Sequence, residues 1–511
     1  MPGNGLWRTK SIEQSIADTD EPDTKLRKDL TAWDLTVFGV AVVIGAGIFT
    51  LTASTAGNIA GPSVSLSFVL AAIACALAAL CYAEFASTVP VAGSAYTFSY
   101  ATFGEFAAWI IGWDLVLEFA VGSAAVAKGW SAYLQTTLGL LGLDVKTEVG
   151  DGFKFDWGAV LLVAVITTLL IVGTKLSSRV SAVITAIKVA VVLLVIVLGI
   201  SYIKAENYRP FIPPAAEGGP AAHTGIEQSL FSLITGYSGS TYGVLGMLAA
   251  ASIVFFAFIG FDVVATTAEE TKNPQKAVPR GILGSLAIVT VLYVAVTLVI
   301  TGMVPYKKLA TQPDGTRATL ASAFADNGVD WAATVISVGA LAGLTTVVMV
   351  LMLGQSRVLF AMSRDGLLPR GLAKTGSHGT PTRITIIIGV LVAVAAGFFP
   401  AGKLEEMVNV GTLFAFILVS AGVMVLRKTR PDLSRGFRVP LVPLVPILAI
   451  VACLWLMLNL TALTWVRFLI WMAVGVVVYF AYSRRNSVLA KTGQSDVRSE
   501  PVVKHGEEPG I

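Results

Sequence analysis

The sequence predicts an all-α integral membrane protein with twelve transmembrane helices, and three observations lead to this fold class. Of the 511 residues, 55% are hydrophobic and only 13% are charged, whereas soluble domains carry about a quarter charged residues. Apolar runs of 18 or more residues, long enough to cross a bilayer, recur along the chain. Glycines interrupt two of these runs, at Gly45 with Gly47 and at Gly260. The competing interpretation, a soluble enzyme with one very large core, does not explain so many runs of this length.

Bilayer thickness divides the chain into spans of roughly twenty residues each. The third span is longer than a bilayer needs and is expected to be tilted. The twelve predicted spans are 37–60, 63–83, 106–138, 157–173, 180–203, 248–267, 282–304, 331–362, 384–399, 407–426, 442–460 and 465–482. The predicted organisation is an N-terminal tail (1–32), a first five-helix unit (33–203), a loop (204–247), a second five-helix unit (248–426), spans eleven and twelve (427–485) and a C-terminal tail (486–511).

Lysine and arginine are concentrated in the loops that follow even-numbered spans. The loop after span six, for example, contains Lys272, Lys276 and Arg280, and the loop after span ten is similarly basic. The positive-inside rule therefore predicts a multi-pass protein of the plasma (inner) membrane with both termini in the cytoplasm and loop 204–247 outside. The polar first thirty or so residues are not expected to act as a cleavable signal peptide.

The positions of the cysteines and histidines argue against a disulfide framework and against a metal site. The three cysteines lie in apolar spans, where they are interpreted as small hydrophobic residues rather than a disulfide framework: Cys75, Cys81 and Cys453. The three histidines are scattered in loops or the tail: His223, His378 and His505. No metal site, no other cofactor and no nucleic-acid partner are expected.

The two interrupted spans predict where a ligand binds. The first interruption lies in Ile44-Gly45-Ala46-Gly47-Ile48-Phe49 and the second in Phe256-Ala257-Phe258-Ile259-Gly260-Phe261-Asp262. Unwound backbone exposes polar groups in a bilayer unless it lines a cavity, and paired interruptions in corresponding halves indicate a transporter's binding site. One interruption in each half of the chain is consistent with two five-helix units of inverted topology. Close packing of small residues is the alternative explanation of the Gly-Ala-Gly stretch.

The chemistry of such a site matches an α-amino acid. A half-helix that begins after Gly47 presents free N–H groups and the positive end of its dipole to a carboxylate. Carbonyls freed before each interruption can accept hydrogen bonds from an ammonium group. A site that binds both groups on adjacent atoms is an α-amino acid site.

Charged side chains inside spans mark functional positions by default. We single out four within the apolar spans: Glu118, Lys128, Lys188 and Asp262. A lysine as desolvated as Lys188 can gain and lose a proton near working pH, which makes it a proton carrier. The alternatives are a permanent pair with a carboxylate or a side chain that snorkels to the cytoplasmic surface.

The other three charges have competing interpretations. Glu118 either binds a cationic side chain or holds a structural partner, and Asp114 shares its helix face one turn earlier. Asp262 orients the unwound backbone, titrates alongside Lys188, or caps the second half-helix. Lys128 lies near Trp130 at the outer end of span three, and we expect it to snorkel to the interface.

Several stretches together resemble the amino acid–polyamine–organocation superfamily, and within it the cationic amino acid transporter family. Beside the two interruptions they are Pro90-Val91-Ala92-Gly93-Ser94-Ala95-Tyr96, Gly112-Trp113-Asp114-Leu115, Glu269-Glu270-Thr271-Lys272-Asn273-Pro274 and Met362-Ser363-Arg364-Asp365-Gly366-Leu367-Leu368-Pro369. Each stretch alone is weak, but their order and spacing are specific. The resemblance covers about residues 33–485.

The resemblance implies a five-plus-five inverted-repeat fold of the leucine-transporter type, with spans eleven and twelve outside the repeat. It implies that the amides of Ala46 and Gly47 hold the substrate carboxylate and that Phe256 covers the substrate. Carbonyls near Ile44 and from Phe256, Ala257 and Ile259 would accept from the ammonium group. The remaining substrate-binding positions are Gly45, Ile48, Glu118, Gly260 and Asp262. Proton coupling is implied at Lys188, with Thr345 and Thr346 as its neighbours in span eight.

Two features depart from the family pattern. Animal members of the cationic family have fourteen spans, and the twelve found here are the bacterial pattern. Lys128 adds a positive charge where an uncharged residue is expected, and it would repel a cationic substrate if it faced the pocket.

The resulting prediction is a secondary active transporter, not an enzyme, that takes up cationic or broad-range L-amino acids with protons by alternating access. The alternatives are an amino acid exchanger, a permease of neutral amino acids or polyamines, or a sensor that binds without transport. The expected partners are the L-amino acid, protons and the lipid bilayer.

Overall fold

The computed structural model describes residue 8 and residues 30–89, 94–143, 145–150, 154–172, 178–216, 225–236, 241–311, 317–373 and 381–492. Most of the predicted N-terminal tail, the end of the C-terminal tail and parts of loop 204–247 therefore lie outside the described residues. Residues 90–93, which belong to one of the stretches that carry the family resemblance, and the three histidines also lie outside the described residues.

The described chain is almost entirely helical, with one two-stranded antiparallel hairpin of β1 (Glu148–Val149) and β2 (Phe155–Asp156). In chain order the α-helices are α1 (Ala32–Val43), α2 (Thr52–Thr55), α3 (Val64–Thr88), α4 (Ser94–Thr102), α5 (Glu105–Leu140), α6 (Trp157–Val172), α7 (Ser178–Ile200), α8 (Leu230–Thr235), α9 (Gly243–Val254), α10 (Pro274–Met303), α11 (Leu320–Ala325), α12 (Asp330–Arg364), α13 (Thr382–Phe398), α14 (Ala401–Thr429), α15 (Leu444–Leu458), α16 (Ala462–Val478), α17 (Arg484–Asn486) and α18 (Val488–Thr492).

Within the described residues, eight helical segments are long and apolar enough to cross a membrane by length and composition. The first, Ala32–Thr88, is 57 residues long, enough for more than one crossing. Three shorter apolar helices, α6, α13 and α15, have 16, 17 and 15 residues. Large apolar side chains such as Val197 and Val291, each 69% exposed, face outward as they do towards lipid. The all-α membrane class is therefore confirmed.

The interrupted first segment lies at the centre of the bundle. Residues 42–57 are all buried; around them α10 packs along α1, and α5 packs along both α12 and α14. The backbone groups that the interruption frees are therefore shielded from lipid. The three cysteines are buried and free, as predicted.

Arg8 near the start of the chain and the described C-terminal segment meet at one end of the bundle. The amide of Glu105, the first residue of α5, donates to the carbonyl of Arg8 at 2.8 Å. From the C-terminal segment, the Ser487 hydroxyl donates to the Glu105 carboxylate at 2.8 Å, and the Val488 amide donates to the Asp365 carbonyl. This end of the bundle is called the tail end below.

Candidate functional site

The first helix interruption lies where the glycines predict it. Helix α1 ends at Val43, and Ile44 adopts an extended conformation with φ −68° and ψ 92°. Helical structure resumes as a π-helical turn over Gly47–Leu51. The first amides of a helical segment have no carbonyl one turn earlier to bond. Gly45, Ala46 and Gly47 therefore bring unpaired N–H groups to this point.

The second interruption follows α9. One 3₁₀ turn, Phe255–Phe258, is followed by extended Ile259, and a 3₁₀ helix then runs over Phe261–Glu270. Gly260, which lies between Ile259 and the 3₁₀ helix, has φ +115°, a conformation that glycine adopts without strain. A Cβ at this position would also lie 2.7 Å from Val42 of α1. Glycine is therefore required here both by the backbone and by the neighbouring helix.

The two interruptions are in direct contact. A Cβ on Gly47 would lie 2.2 Å from the Cα of Ala257, so only a glycine permits this approach. The Tyr293 hydroxyl of α10 lies 2.6 Å from the Val43 carbonyl and 2.9 Å from the Ala257 carbonyl, within hydrogen-bonding distance of both. Tyr293 thus ties one interruption to the other. The sequence prediction missed it, although a tyrosine in the middle of an apolar span was a signal.

A cavity of about 30 Å³ lies between the interruptions, with room for about two water molecules. Its lining residues are Val42, Val43, Gly45, Ala46, Gly47, Glu118, Gly122, Val126, Phe256, Ile259, Val347, Leu351 and Val408. Six of the eleven predicted substrate-binding residues, from the two interruptions and α5, therefore line the cavity. The glycine-rich backbone forms one wall, and apolar side chains of α5, α12 and α14 form the opposite wall.

The remaining predicted substrate-binding residues lie behind the wall, outside the lining: Ile44, Ile48, Ala257, Gly260 and Asp262. The Ile48 carbonyl accepts a hydrogen bond from the Thr52 hydroxyl at 3.0 Å. The Ala257 carbonyl shares the single proton of the Tyr293 hydroxyl with the Val43 carbonyl. These two carbonyls are engaged within the protein, so the cavity's acceptors come from neighbouring backbone.

Three carboxyl groups lie close together beside the cavity. Glu118 is 3% exposed, with the Thr412 hydroxyl beside it and Asp114 and Asp262 near enough to interact electrostatically. Asp262 stands in the first turn of the helical segment whose capping residue is Gly260, and its Oδ1 has no hydrogen-bond partner among the residues that the structure describes. Asp262 is therefore not itself the capping residue, one of its three predicted roles.

Lys188 links three helices. Its side chain is 1% exposed, and its Nζ donates a hydrogen bond of 2.8 Å from α7 to the Ala41 carbonyl of α1, just before the interruption. On α12 it packs against Gly343, where a Cβ would lie 3.0 Å from the lysine Cε. The hydroxyls of Thr345 and Thr346 bond to carbonyls of their own helix. Gly343 is the α12 neighbour that the sequence prediction missed.

The prediction that Lys128 snorkels to the interface is wrong. Its side chain is 8% exposed, and Nζ lies 2.9 Å from Glu148 and 3.1 Å from Asp156 of the β-hairpin. Asp156 also accepts from the Ser131 hydroxyl at 2.5 Å. Lys128 does not line the cavity. Its charge is neutralised by two carboxylates that the sequence places outside the membrane. The repulsion of a cationic substrate, which would arise if Lys128 faced the pocket, therefore does not apply.

We expect Lys128→Met to lower the free energy of unfolding by about 3–5 kcal/mol, because it leaves the buried carboxylate of Asp156 without its cation. Thermal unfolding of the purified protein measures the effect. The matched control is Lys146→Met, since Lys146 is an exposed residue of the same loop. Equal, small shifts in both variants would contradict a structural role of the ion pair.

A second cavity of about 100 Å³ adjoins the first, on the side away from the tail end. Asn409 lines it while the preceding residue, Val408, lines the first cavity. Arg317 and Glu405, also in its lining, form an ion pair of 2.9 Å. A polar cavity therefore lies between the opposite end of the bundle and the site between the interruptions.

Comparison with known proteins assigns the chain to a family. The sequence profile of the family described as amino acid permease matches residues 30–481. The branched-chain amino acid permease BcaP of Bacillus subtilis (strain 168) is 44% identical over 95% of this chain and 99% of the relative. The methylthioribose transporter of the same organism is 43% identical over 96% of this chain and 100% of the relative.

A plant relative extends the comparison. The vacuolar cationic amino acid transporter 4 of Arabidopsis thaliana is 39% identical over 84% of this chain and 68% of the relative. These relatives are named as transporters or permeases, not as enzymes. A profile match over most of the chain, together with this identity, means that the chain belongs to the amino acid permease family, within the amino acid–polyamine–organocation superfamily, and is a multi-pass membrane permease.

Proposed function

We propose that the protein is a proton-coupled symporter that takes up L-amino acids across the plasma membrane by alternating access. The proposal includes twelve spans, a five-plus-five inverted repeat and two cytoplasmic termini. The observation that carries it is the contact between two helix interruptions, with unpaired amides on one side of a central cavity. Convergence of Arg8 and Ser487 on Glu105 supports an even number of crossings, since these two residues from opposite ends of the sequence lie at one end of the bundle.

The substrate carboxylate would bind at the amides of Ala46 and Gly47. These amides lie at the start of a helical segment, where the dipole and the unpaired N–H groups favour an anion. The ammonium group would face backbone carbonyls of the second interruption near Phe256 and Ile259, which line the same cavity. Phe256 would cover the bound substrate from the adjoining polar cavity.

The wall available to the substrate side chain is apolar. It consists of Gly122, Val126, Val347, Leu351 and Val408, with Glu118 at its edge. Burial of a branched aliphatic side chain against such a wall contributes about 1.5–3 kcal/mol. We therefore propose broad-range uptake that favours aliphatic amino acids, and the name of the BcaP relative is consistent with this class. A cationic substrate paired with Glu118 is the alternative.

Lys188 would couple the proton to the substrate. When protonated, it holds the Ala41 carbonyl of α1 while it packs on α12, and so keeps the first interruption in place. Opening of the tail end, with loss of the proton, would release that contact and weaken the substrate site. The tail-end contacts of Asp365 with Val488 and with the Tyr96 hydroxyl, at 2.7 Å, would break in that step.

Uptake of labelled leucine and arginine into proteoliposomes tests the proposal, with and without an inward proton gradient and without sodium. We expect gradient-driven leucine uptake, with arginine slower. Faster arginine uptake would assign Glu118 to the substrate's cationic group. If uptake requires amino acid inside the vesicles and does not depend on the proton gradient, the protein is an exchanger rather than a symporter.

A second candidate substrate follows from one relative. The methylthioribose transporter is as similar to this chain as the amino acid permease is. Methylthioribose carries neither a carboxylate nor an ammonium group, so it would leave the unpaired amides of the first interruption without an anion. A competition assay distinguishes the two substrates. Excess unlabelled methylthioribose should not reduce the uptake of labelled leucine, and strong inhibition would favour the sugar as substrate.

A further inference from the structure

One carboxyl group in the interior has no assigned partner. Asp114 of α5 is fully buried, and neither of its side-chain oxygens has a hydrogen-bond partner among the described residues. It does not line the cavity. It packs against α14, where a Cβ on Gly411 would lie 2.8 Å from its Oδ1. A polar side chain in this state requires a physical explanation.

The charged groups that face this carboxyl are other carboxyls. Glu118 lies one turn further along α5, about 6 Å from Asp114 along the axis, and it also interacts with Asp262. Among the described residues, no titratable group of α4, α6, α12, α13, α14 or α16 interacts electrostatically with Asp114 or Glu118. No described lysine or arginine forms an ion pair with any of the three.

The three carboxyls differ in what stabilises their charge. Asp262 stands at the start of a helical segment, where the dipole favours an anion. Glu118 has a hydroxyl beside it and borders the cavity. Asp114 has neither a helix start nor a hydroxyl beside it among the described residues. An ionised carboxylate that is buried without a partner costs several kcal/mol. Repulsion from Glu118 adds to this cost.

The occupant of this cluster is therefore a proton rather than a metal. Within the described part of the chain, no group of three or more potential ligands is arranged to hold a metal ion. A proton on one Asp114 oxygen removes the buried charge and needs no further ligand.

We propose that Asp114 is a second proton-carrying site, so that two protons accompany each substrate, one on Lys188 and one on Asp114. This inference rests on the proposed function. A proton from the outer solution would form an O–H bond on the Asp114 carboxylate. The bond breaks when the tail end opens and water reaches the group, since a hydrated aspartate ionises at a pKa of about 3.9. The proton leaves on the cytoplasmic side, and the carboxylate is reprotonated from outside in the next cycle.

The test is the proton-to-substrate ratio. Proteoliposomes are held at zero membrane potential with a tenfold inward proton gradient, and the outward leucine gradient that stops net uptake is measured. Two protons per leucine balance about a 100-fold leucine gradient and one proton balances about a tenfold gradient, because each proton adds the same free energy. We expect 100-fold for the wild type, tenfold for Asp114→Asn, and 100-fold for the control Asp432→Asn, an exposed ion-pair residue.

The outcomes separate the two proposals. A tenfold gradient for the wild type overturns the second proton site and leaves the proposed function intact. A 100-fold gradient in Asp114→Asn also overturns it, because the second proton would then be elsewhere. A wild-type balance at equal leucine concentrations overturns proton coupling itself. If Asp114→Asn does not purify as a monodisperse protein, Asp114→Ser replaces it, with the same expected tenfold result.

Discussion

Lys188→Ala is expected to lose proton-driven amino acid uptake by roughly 10- to 100-fold and to lose its dependence on pH. The Lys188 Nζ makes the hydrogen bond that ties α7 to the Ala41 carbonyl of α1. A hydrogen bond from a charged group contributes about 1.5–3 kcal/mol, and each 1.4 kcal/mol corresponds to about tenfold in an equilibrium. Initial uptake rates over a range of external pH measure the loss.

Two further variants identify the cause of that loss. Lys188→Met keeps most of the side-chain volume without the charge, so it should fail like the alanine variant if the ammonium group matters. Lys276→Ala removes an exposed lysine and should transport normally. Full activity of Lys188→Ala with an unchanged pH profile would remove Lys188 from the mechanism.

Gly47→Ala is expected to abolish substrate binding and uptake. The added Cβ would lie 2.2 Å from the Cα of Ala257, and this neighbour is backbone that cannot move aside like a flexible side chain. Overpacking of an interior site costs about 1–3 kcal/mol, and here the strain falls on the amides proposed to hold the carboxylate. Equilibrium binding of labelled leucine to the purified protein gives the effect, and we expect a loss of at least about tenfold.

A matched control is available on α5. A Cβ on Gly139 would meet no atom within 4 Å, so Gly139→Ala should bind leucine normally. Normal binding by Gly47→Ala would show that the two interruptions separate without loss of the site, and would contradict the arrangement proposed here.

The helices themselves were predictable because each depends on local hydrophobicity. The third predicted span, 106–138, corresponds to α5 at Glu105–Leu140, and the eighth, 331–362, to α12 at Asp330–Arg364. Both interruptions were predictable because glycine and polar residues are costly in a span unless the backbone there is used. The family resemblance, which depends on ordered short stretches, was confirmed by the comparisons.

The partners of the intramembrane charges were not predictable. Lys128 looked like a snorkelling residue because nothing nearby in the sequence neutralises it, yet residues 20 and 28 positions later fold back onto it as Glu148 and Asp156. Lys188 was identified from its place in an apolar span, but its contacts with Ala41 and Gly343 come from helices far away in the chain.

The sequence by itself determined the class of this protein, its helices, its two interruptions and the presence of charges within its spans. Those properties follow from residue type and spacing, because transfer into the bilayer is a property of each segment. The tertiary structure decided which groups meet: Tyr293 lies between the interruptions, two carboxylates lie on Lys128, and Asp114 has no hydrogen-bond partner in the part of the chain that is described. Hydrogen bonds and ion pairs between distant segments depend on distances of a few ångströms, and only the packing of the helices sets those distances.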